Sequence, residues 1–427
     1  MSSLLIRNTS LQDEVVDILI QGQRFARIGP ELQVNADRII DGRGTAIVPP
    51  LFNAHTHAAM TLLRGYADDM ELSTWLNSYI WPLEARLQPE DVYIGTKLAC
   101  LEMIKSGTIF FNDMYWHFQA TAQAVLDMGL RAALSSVFID FNDPNMARKR
   151  WEECLDLLAW SQDLPSRITF ALGPHAVYSV SRESLCQARD LAQKHGLFIH
   201  LHVSETAQEV EDCVQKTGRR PVEYLHDLGL LGPNLLACHA LWLSPQEMDL
   251  LAENQVTVVH NPVSNLKLGS GLLPFRALDD RGIKVVLGTD GCSSNNSLDM
   301  LESMKYASLL AKGQDHDPTA FPAHQAYAAA SSMPAQIFGI DSGTIAEGHL
   351  ADCLLIDLEQ APMTPSHNLI SNLVYSAKPE CVHSTICDGA LLMHARRVQG
   401  EAEILAQARK SAQRLVRSQK SPPHEKG

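Results

Sequence analysis

The chain of 427 residues lacks several features that would place it in a class of protein at once. It has no run of about 18 consecutive apolar residues, which a transmembrane helix requires. Its net charge is −14, so it has no excess of basic residues with which to bind a nucleic-acid backbone or an acidic membrane surface. We therefore expect neither a nucleic-acid partner nor a membrane partner.

The nine cysteines are dispersed along the chain and include no Cys-x-x-Cys motif. An odd, dispersed set of this kind is typical of reduced thiols in a cytoplasmic compartment. The first residues also lack the long apolar core of a signal peptide, and we expect a cytoplasmic protein. Any bound metal would then be held by histidine and carboxylate rather than by thiolate.

Hydrophobic residues make up 45% of the chain, enough to build a large core and more than one structural unit. Strand-like segments of the two chain ends lie at 4–8, 15–20, 25–28, 351–357 and 381–389. We predict that residues 1–50 and 347–427 form one small composite β-sandwich domain. A polar helix is expected at 401–417 and a disordered tail at 418–427.

Between residues 51 and 346, eight apolar runs alternate with longer helical stretches. After the run that ends at His57, they lie at 108–113, 131–138, 168–172, 197–202, 235–239, 256–260 and 283–288. One helical region is expected at 83–106, closed by Gly107. Eight such units in about 290 residues match the size of a (β/α)₈ barrel. We therefore predict an α/β fold with a TIM-like barrel over 51–346, and a doubly wound sheet is the alternative.

His55 and His57 end the first of these runs and lie two residues apart. Side chains two apart on a strand project to the same face, roughly 6–7 Å apart at the backbone. Two imidazoles at that spacing suit one divalent cation. Alone, the pair is explained equally well as two polar residues at a strand tip.

Similar polar residues end four further strands. They are His175, His200, His202, His239 and Asp290. The chemistry of a barrel takes place at the carboxyl ends of its strands, so we expect these side chains to meet at one mouth. A single strand-end histidine more often caps a carbonyl, but the set together, with an acid at the last strand, predicts a metal site.

Motifs at these strand ends carry a family resemblance. They are Pro-x-x-x-Asn-x-His-Thr-His from Pro49 to His57, Gly173-Pro174-His175, His202-Val203-Ser204-Glu205-Thr206, Cys238-His239-Ala240 and Leu287-Gly288-Thr289-Asp290-Gly291. With them the chain resembles the amidohydrolase superfamily over nearly its whole length. Within the superfamily it is most similar to the branch of 5′-methylthioadenosine and S-adenosylhomocysteine deaminases.

The resemblance implies one metal ion per chain, Zn²⁺ with Fe²⁺ or Mn²⁺ as alternatives. The implied ligands are His55, His57, His202 and Asp290. Because His200 shares a strand face with His202, it is the alternative ligand. Binuclear members of the superfamily carry a bridging carboxylated lysine at a strand end, but here Lys149 and Lys194 lie in helical stretches.

The resemblance implies hydrolytic removal of the 6-amino group of an adenosine-type nucleoside. Catalytic roles fall to Glu205, which would protonate the ring nitrogen, to Asp290, which would take a proton from water, and to His239, which would orient that water. Substrate-binding roles fall to Glu84, His175, Glu205 and Asp290. Read without the resemblance, Glu205 is a helix-start carboxylate and Glu84 a solvated helix residue.

Ser135 and Ser136 lie where relatives that use S-adenosylhomocysteine carry an arginine for the amino-acid carboxylate. Arg148 or Arg150 could supply a charge from the next segment, although both are explained equally well as solvated helix residues. Without an arginine to bind it through two hydrogen bonds, the amino-acid carboxylate of S-adenosylhomocysteine adds little to binding. We therefore favour 5′-methylthioadenosine and place S-adenosylhomocysteine second.

Two other functions stay open. One is deamination of another aminated heterocycle, such as guanine, pterin, cytosine or triazine, or hydrolysis of an amide. The other is a metal-binding scaffold without turnover. The resemblance also implies self-association into a homo-oligomer, and the sequence locates no interface for it.

Overall fold

The structure is a computed structural model that describes residues 3–70 and 72–417. In these ranges the strands, in chain order, are β1 (Ser3–Leu11), β2 (Glu14–Gln21), β3 (Arg24–Gly29), β4 (Arg38–Asp41), β5 (Thr45–Val48), β6 (Leu51–Thr56), β7 (Thr108–Met114), β8 (Arg131–Phe138), β9 (Ile168–Pro174), β10 (Phe198–Val203), β11 (Leu235–His239), β12 (Thr257–His260), β13 (Val285–Leu287), β14 (Cys353–Asp357), β15 (Val382–Cys387), β16 (Ala390–His394) and β17 (Arg397–Val398).

The helices of the same ranges are α1 (Leu72–Trp75), α2 (Trp81–Glu84), α3 (Pro89–Ser106), α4 (Phe118–Met128), α5 (Pro144–Ser161), α6 (Arg182–His195), α7 (Ala207–Thr217), α8 (Pro221–Asp227), α9 (Pro245–Glu253), α10 (Pro262–Lys267), α11 (Phe275–Asp279), α12 (Met300–Asp315), α13 (Ala323–Ala329), α14 (Ser332–Ile337), α15 (Leu369–Tyr375) and α16 (Glu401–Arg417). A π-helical turn, Leu76–Ile80, joins α1 to α2, and short 3₁₀ segments lie at Ala58–Leu63, Ala361–Met363 and Pro379–Cys381.

Strands β6 to β13 form an eight-stranded parallel sheet in sequence order. The sheet closes on itself where the chain leaves β13. There the backbone N–H groups of Thr289 and Asp290 donate to the carbonyl oxygen of His55, at 3.1 and 3.0 Å. The side chain of Asn53 adds a bond to the N–H of Thr289 at 3.1 Å. The predicted barrel is therefore confirmed, and the doubly wound sheet is excluded.

The predicted helical region at 83–106 is interrupted in the structure. Helix α2 ends at Glu84, and α3 begins only at Pro89. Proline has no N–H to donate, so it suits the first position of a helix, and Gln88 before it is extended. Gly107 ends α3 with φ +88°, as predicted, and its carbonyl oxygen accepts a bond from the N–H of Leu51 in β6.

The strands of both chain ends form one mixed sheet beside the barrel. Its order is β17-β16-β15-β14-β5-β1-β2-β3, and β4 also pairs with β1. The two chain ends meet where β5 pairs antiparallel with β14. The predicted β unit from both termini is thus confirmed, while the division at residues 50 and 347 stays a prediction. Helix α16 matches the predicted polar helix, and the tail at 418–427 lies outside the described residues.

Buried ion pairs join the base of the barrel to the terminal sheet. Arg131, the first residue of β8, donates from Nε to Asp352 at 3.2 Å and from Nη2 to Asp388 at 2.6 Å. Asp388 also accepts from Nη2 of Arg167 at 2.7 Å. The carboxyl ends of the strands lie at the opposite mouth. In the described residues no helix combines the length and the apolar character needed to cross a membrane.

Candidate metal centre and active site

The structure brings the predicted site residues to one mouth of the barrel. A cavity of about 70 Å³ is lined by His57, Glu84, His175, His202, Glu205, His239 and Asp290, among others. His55 lies directly below it and is fully buried. Each of the histidines ends or directly follows a barrel strand, so the parallel register of the sheet places them at one level.

Asp290 contacts both His55, in β6, and His57, which directly follows β6. Its Oδ1 atom is 3.3 Å from Nε2 of His55 and 3.2 Å from Nε2 of His57. Its Oδ2 atom accepts hydrogen bonds from the hydroxyls of Ser264, at 2.6 Å, and Ser294, at 2.9 Å. These two bonds turn Oδ1 towards the imidazoles.

These separations fit a tetrahedral metal ion. Ligand atoms about 2.0–2.1 Å from zinc in a tetrahedral site lie roughly 3.3 Å from each other. Nε2 of His55 is buried and has no hydrogen-bond partner, so a bound ion would satisfy it. Ligand atoms of His55, His57 and Asp290 form one group that could hold an ion, and those of His55, His202 and His239 form another.

Backbone carbonyls fix the orientation of two of these rings. Nδ1 of His57 donates to the carbonyl oxygen of Met114 at 2.6 Å, and Nδ1 of His202 donates to that of His175 at 2.8 Å. Because a carbonyl oxygen only accepts, the proton of each neutral ring lies on Nδ1. Nε2 of each ring therefore presents its lone pair to the cavity.

Burial keeps His55, His175 and His202 neutral. At His57, by contrast, the carboxylate of Asp290 outweighs burial and raises the pKa to about 9, so this ring must lose a proton to bind a metal. Burial lowers the pKa of His55 to about 4, although Asp290 opposes the shift. It also lowers the pKa of His175 to about 3 and that of His202 well below its usual value. Burial would raise the pKa of Asp290, but its close contacts with His55 and His57 lower it well below the ordinary range. Neutral imidazoles and an ionised carboxylate are the forms that bind metal.

His200, the alternative ligand, lies behind His55 and away from the cavity. Its Nε2 atom is 2.6 Å from Nδ1 of His55, and its Nδ1 atom is 3.3 Å from Oγ of Ser135. The ligand atoms of His55, His200 and Cys238 also lie close together, but the hydrogen bond between the two rings occupies two of them. Burial raises the pKa of the Cys238 thiol well above its usual value, so no thiolate is at hand.

Glu205 and His239 also line the cavity. Oε2 of Glu205 lies 3.8 Å from Nε2 of His239. Nδ1 of His239 donates to Oδ1 of Asn265 at 2.7 Å, which fixes that ring as well. Burial raises the pKa of Glu205, and this favours the protonated acid over the carboxylate.

Glu209 holds Glu205 in place. Its carboxylate accepts from the backbone N–H groups of Ser204, at 2.9 Å, and Glu205, at 2.8 Å. Ser204 has φ +51°, so these bonds stabilise a left-handed turn between His202 and Glu205. The sequence analysis missed Glu209. The signal for it is an acid in the first turn of α7, four residues after Glu205.

Glu84 lies at the junction of two cavities. The cavity at the histidines adjoins a larger one of about 730 Å³, and both are lined by Trp81, Glu84, Tyr115, Trp116, Val137 and Ile139. Oε1 of Glu84 is buried without a hydrogen-bond partner. Burial also raises the pKa of this carboxyl group. Glu84 is thus a half-buried residue with one buried oxygen at a cavity, and not a solvated helix residue.

The lysines and arginines that the sequence left open have distinct positions. Lys149 and Lys194 lie on the helices α5 and α6, as predicted. Both side chains are exposed. Arg148 is also exposed on α5. Arg150 lines the larger cavity, lies 4.9 Å above the ring of Trp116 and donates to Glu153 at 2.7 Å.

Residues 46–392 match the model described as Amidohydrolase family. The chain belongs to the amidohydrolase family. Its relatives include the 5′-deoxyadenosine deaminase of Methanothrix thermoacetophila, which is 44% identical over 420 residues, 97% of this chain and 98% of that protein. The 5-methylthioadenosine/S-adenosylhomocysteine deaminase 1 of Archaeoglobus fulgidus is 42% identical over 406 residues, 94% of this chain and 96% of that protein.

Solved structures agree with this assignment. An adenosine deaminase from Xanthomonas campestris with bound zinc superposes with a TM-score of 0.91 at 34% identity, over 97% of this chain and 99% of that one. The atrazine chlorohydrolase TrzN of Arthrobacter aurescens, at 22% identity and a TM-score of 0.88, covers 96% of this chain and 100% of its own and shows the fold alone. The predicted deaminase branch is confirmed, and this family member is a hydrolase.

Proposed function

We propose that this amidohydrolase removes the 6-amino group of adenosine-type nucleosides that carry a small 5′ substituent, 5′-methylthioadenosine foremost, and releases ammonia. The observation that carries the proposal is the arrangement around Asp290. Its Oδ1 atom lies 3.2–3.3 Å from two imidazole nitrogens, and Glu205 and His239 line the same cavity. A scaffold without turnover would not need this acid and base.

The proposed ligands of a single Zn²⁺ are His55, His57, His202 and Asp290. Zinc is preferred over Fe²⁺ or Mn²⁺ because a set of three imidazoles and one carboxylate suits its tetrahedral chemistry, and the Xanthomonas relative carries zinc. Zinc bound there supplies the Lewis acidity that makes water a nucleophile near neutral pH.

Each proton transfer is assigned to one side chain of the cavity. Glu205, kept protonated by burial, donates its proton to ring nitrogen N1 as a water oxygen bonds to C6. Asp290 accepts one proton of that water, and Nε2 of His239 orients its oxygen. Asp290 then passes its proton to the 6-amino group, the C6–N bond breaks and ammonia leaves. The second proton of the water returns to Glu205, so the enzyme is regenerated.

Glu84 and His175 are proposed to bind the nucleoside. The buried Oε1 atom of Glu84 has no partner, and a ribose hydroxyl would supply one. His175 is neutral, and its Nδ1 is bonded to the hydroxyl of Ser179 at 2.8 Å, which leaves Nε2 for the substrate. Glu84 is the last residue of α2, and His175 directly follows β9.

The larger cavity would hold the 5′ substituent. Its volume of about 730 Å³ is larger than a hydrogen atom or a methylthio group needs, and several of its lining residues are aromatic. S-Adenosylhomocysteine is the second candidate, because Arg150 lies in the wall of this cavity. Arg150 is already paired with Glu153, so it would have to share its charge with a substrate carboxylate. We therefore keep 5′-methylthioadenosine first.

A panel of amines tests the proposal. Purified protein loaded with zinc would be given 5′-deoxyadenosine, 5′-methylthioadenosine, S-adenosylhomocysteine, adenosine, guanine and cytosine. Ammonia release and the ultraviolet change from adenine to hypoxanthine would be followed. We expect the highest kcat/KM with 5′-methylthioadenosine, measurable turnover of the other adenosine derivatives and none of guanine or cytosine. Turnover of guanine or cytosine without turnover of adenosine derivatives would refute the proposal.

A further inference from the structure

His55 differs from the other proposed imidazole ligands in the partner of its outer nitrogen. Nδ1 of His57 and Nδ1 of His202 both face backbone carbonyl oxygens, which can only accept. Nδ1 of His55 instead lies 2.6 Å from Nε2 of His200. Nδ1 of His200 in turn lies 3.3 Å from Oγ of Ser135. Three side chains from three strands thus form one hydrogen-bonded chain that ends at the metal site.

We propose that His200 and Ser135 form a positioning relay, which fixes His55 in the tautomer whose Nε2 lone pair faces the metal. In that tautomer Nδ1–H of His55 donates to Nε2 of His200. The proton of neutral His200 must then lie on Nδ1, from which it donates to Oγ of Ser135. The inference rests on the metal site of the proposed function.

Burial makes each link of this relay necessary. His55 and His200 are fully buried, and Ser135 is 3% exposed, so bulk water does not replace a missing partner. The two rings meet edge to face, with planes at 89° and centroids 4.8 Å apart, which aims the nitrogens of one ring at the other. An N–H group left without a partner here would carry its full desolvation cost.

The relay explains two features of the sequence that the catalytic roles leave unused. One is the first histidine of His200-Leu201-His202, which shares a strand face with a proposed ligand but lies one pleat deeper. The other is the serine pair of β8. Ser135 faces His200, whereas Ser136 is directed to the thiol of Cys154. A hydroxyl accepts a hydrogen bond in little space, and a longer side chain at 135 would displace His200.

Replacements of His200 separate hydrogen bonding from packing. In His200→Leu the Nδ1–H of His55 loses its acceptor, and outer partners of metal-binding histidines typically contribute about 10–100-fold to metal affinity. In His200→Gln the amide can accept from His55 and donate to Ser135, so we expect a loss below about 5-fold. Ser135→Ala removes only the last link and should lose about 3–10-fold. Ser136→Ala is the matched control and should leave zinc affinity unchanged.

The test is zinc affinity, measured on the full chain by competition with a chromophoric chelator. Spectra of the cobalt-substituted proteins and the melting temperatures of the metal-free proteins would be recorded alongside. We expect the order wild type and Ser136→Ala, then His200→Gln, Ser135→Ala and His200→Leu, with an altered cobalt spectrum in the last. A packing role alone would lower the melting temperature of the metal-free variants without changing zinc affinity.

The wild-type control distinguishes failure of the relay from failure of the metal site. Equal zinc affinity in His200→Leu, His200→Gln and wild type would overturn the relay and leave the metal site intact. If His200→Leu does not fold, Ser135→Ala against Ser136→Ala decides the question by the same measurement, and equal affinities in that pair would overturn the relay. Absence of tight zinc binding in the wild type would instead remove the metal site of the proposed function.

Discussion

The two ends of the barrel differ in how their ionisable side chains are paired. At the base, Arg131 bonds to both Asp352 and Asp388, and Arg167 also bonds to Asp388. At the mouth, Nε2 of His55 and Oε1 of Glu84 are buried without hydrogen-bond partners. A buried polar group without a partner costs free energy, so it is retained where a ligand supplies the partner.

From this difference we expect residues at the base to affect mainly stability, and residues at the mouth to affect mainly metal binding and catalysis. The base network joins two parts of the chain that are more than 200 residues apart in sequence, Arg131 and Asp352 among them. Breaking it should loosen the contact between barrel and terminal sheet and leave the site unchanged. The mouth should respond in the opposite manner, because its groups are arranged for an ion and a substrate. Each prediction below tests one side of this contrast.

The largest effect is expected for Asp290→Asn. The amide keeps the shape of the side chain but removes the charge that faces His55 and His57, and with it the proposed base. We expect turnover to fall about 10³–10⁴-fold, together with weaker zinc binding, because a general base alone contributes up to about 10⁴-fold. Steady-state rates and metal analysis would measure this, and the denaturation midpoint of the metal-free protein should stay unchanged. Turnover near the wild-type rate would show that Asp290 is no base.

His239→Ala should separate catalysis from metal binding at the mouth. His239 is not among the proposed ligands, but its Nε2 lies 3.8 Å from Oε2 of Glu205. We expect zinc content to stay near one ion per chain and kcat to fall about 10²–10³-fold, the usual contribution of one proton-transfer group. The rate and the metal content would be measured on the same sample. Loss of zinc in this variant would move His239 into the ligand set.

Asp388→Ala should have its effect on stability. The change leaves the buried guanidinium of Arg131 with one partner and that of Arg167 without its carboxylate. Breaking a buried pair in this way costs about 3 kcal/mol. Chemical denaturation would measure the shift, and kcat per folded molecule should not change. Asp341→Ala, which removes an exposed pair with Arg24, is the control and should cost below about 1 kcal/mol.

The sequence predicted the mouth better than the base. Strand-end histidines are visible because each follows an apolar run, and the parallel register of a barrel brings them to one level. The network of Arg131 and Asp388 is invisible in sequence, since it depends on how the terminal sheet docks. Between His200 and His202, the sequence favoured His202 only because an acid, Glu205, follows it three residues later. The two side chains share a strand face but lie two residues apart along the strand. One is therefore deeper in the barrel, and the other reaches the cavity.

Glu84 and Arg150 show a second limit. Their segments have helical patterns, and a helical pattern does not say which residue faces a cavity formed by other elements. Arg148 is exposed, whereas Arg150, two residues later on α5, is half-buried. This difference follows from how α5 packs beside Trp116. The resemblance to known deaminases singled out Glu84, and the structure supplies its buried, unpartnered oxygen.

The smallest effect is expected for Arg150→Met, which concerns the boundary between the two cavities. Methionine keeps an unbranched chain against Trp116 but removes the charge that Glu153 already shares. For 5′-methylthioadenosine we expect kcat/KM to change by less than about 2-fold, and for S-adenosylhomocysteine to fall about 3–10-fold, since a partly exposed charge pair contributes about 1 kcal/mol.

The matched control for this variant is Arg148→Met, on the same helix but exposed, which should change neither value. Competition between the two nucleosides in one reaction measures the ratio directly. If Arg150→Met lowers kcat/KM equally for both, Arg150 acts by packing on Trp116 and the larger cavity recognises no carboxylate. If it lowers only the value for S-adenosylhomocysteine, the mouth of the barrel contains a charge that awaits a partner from the substrate, unlike the fully paired charges at the base.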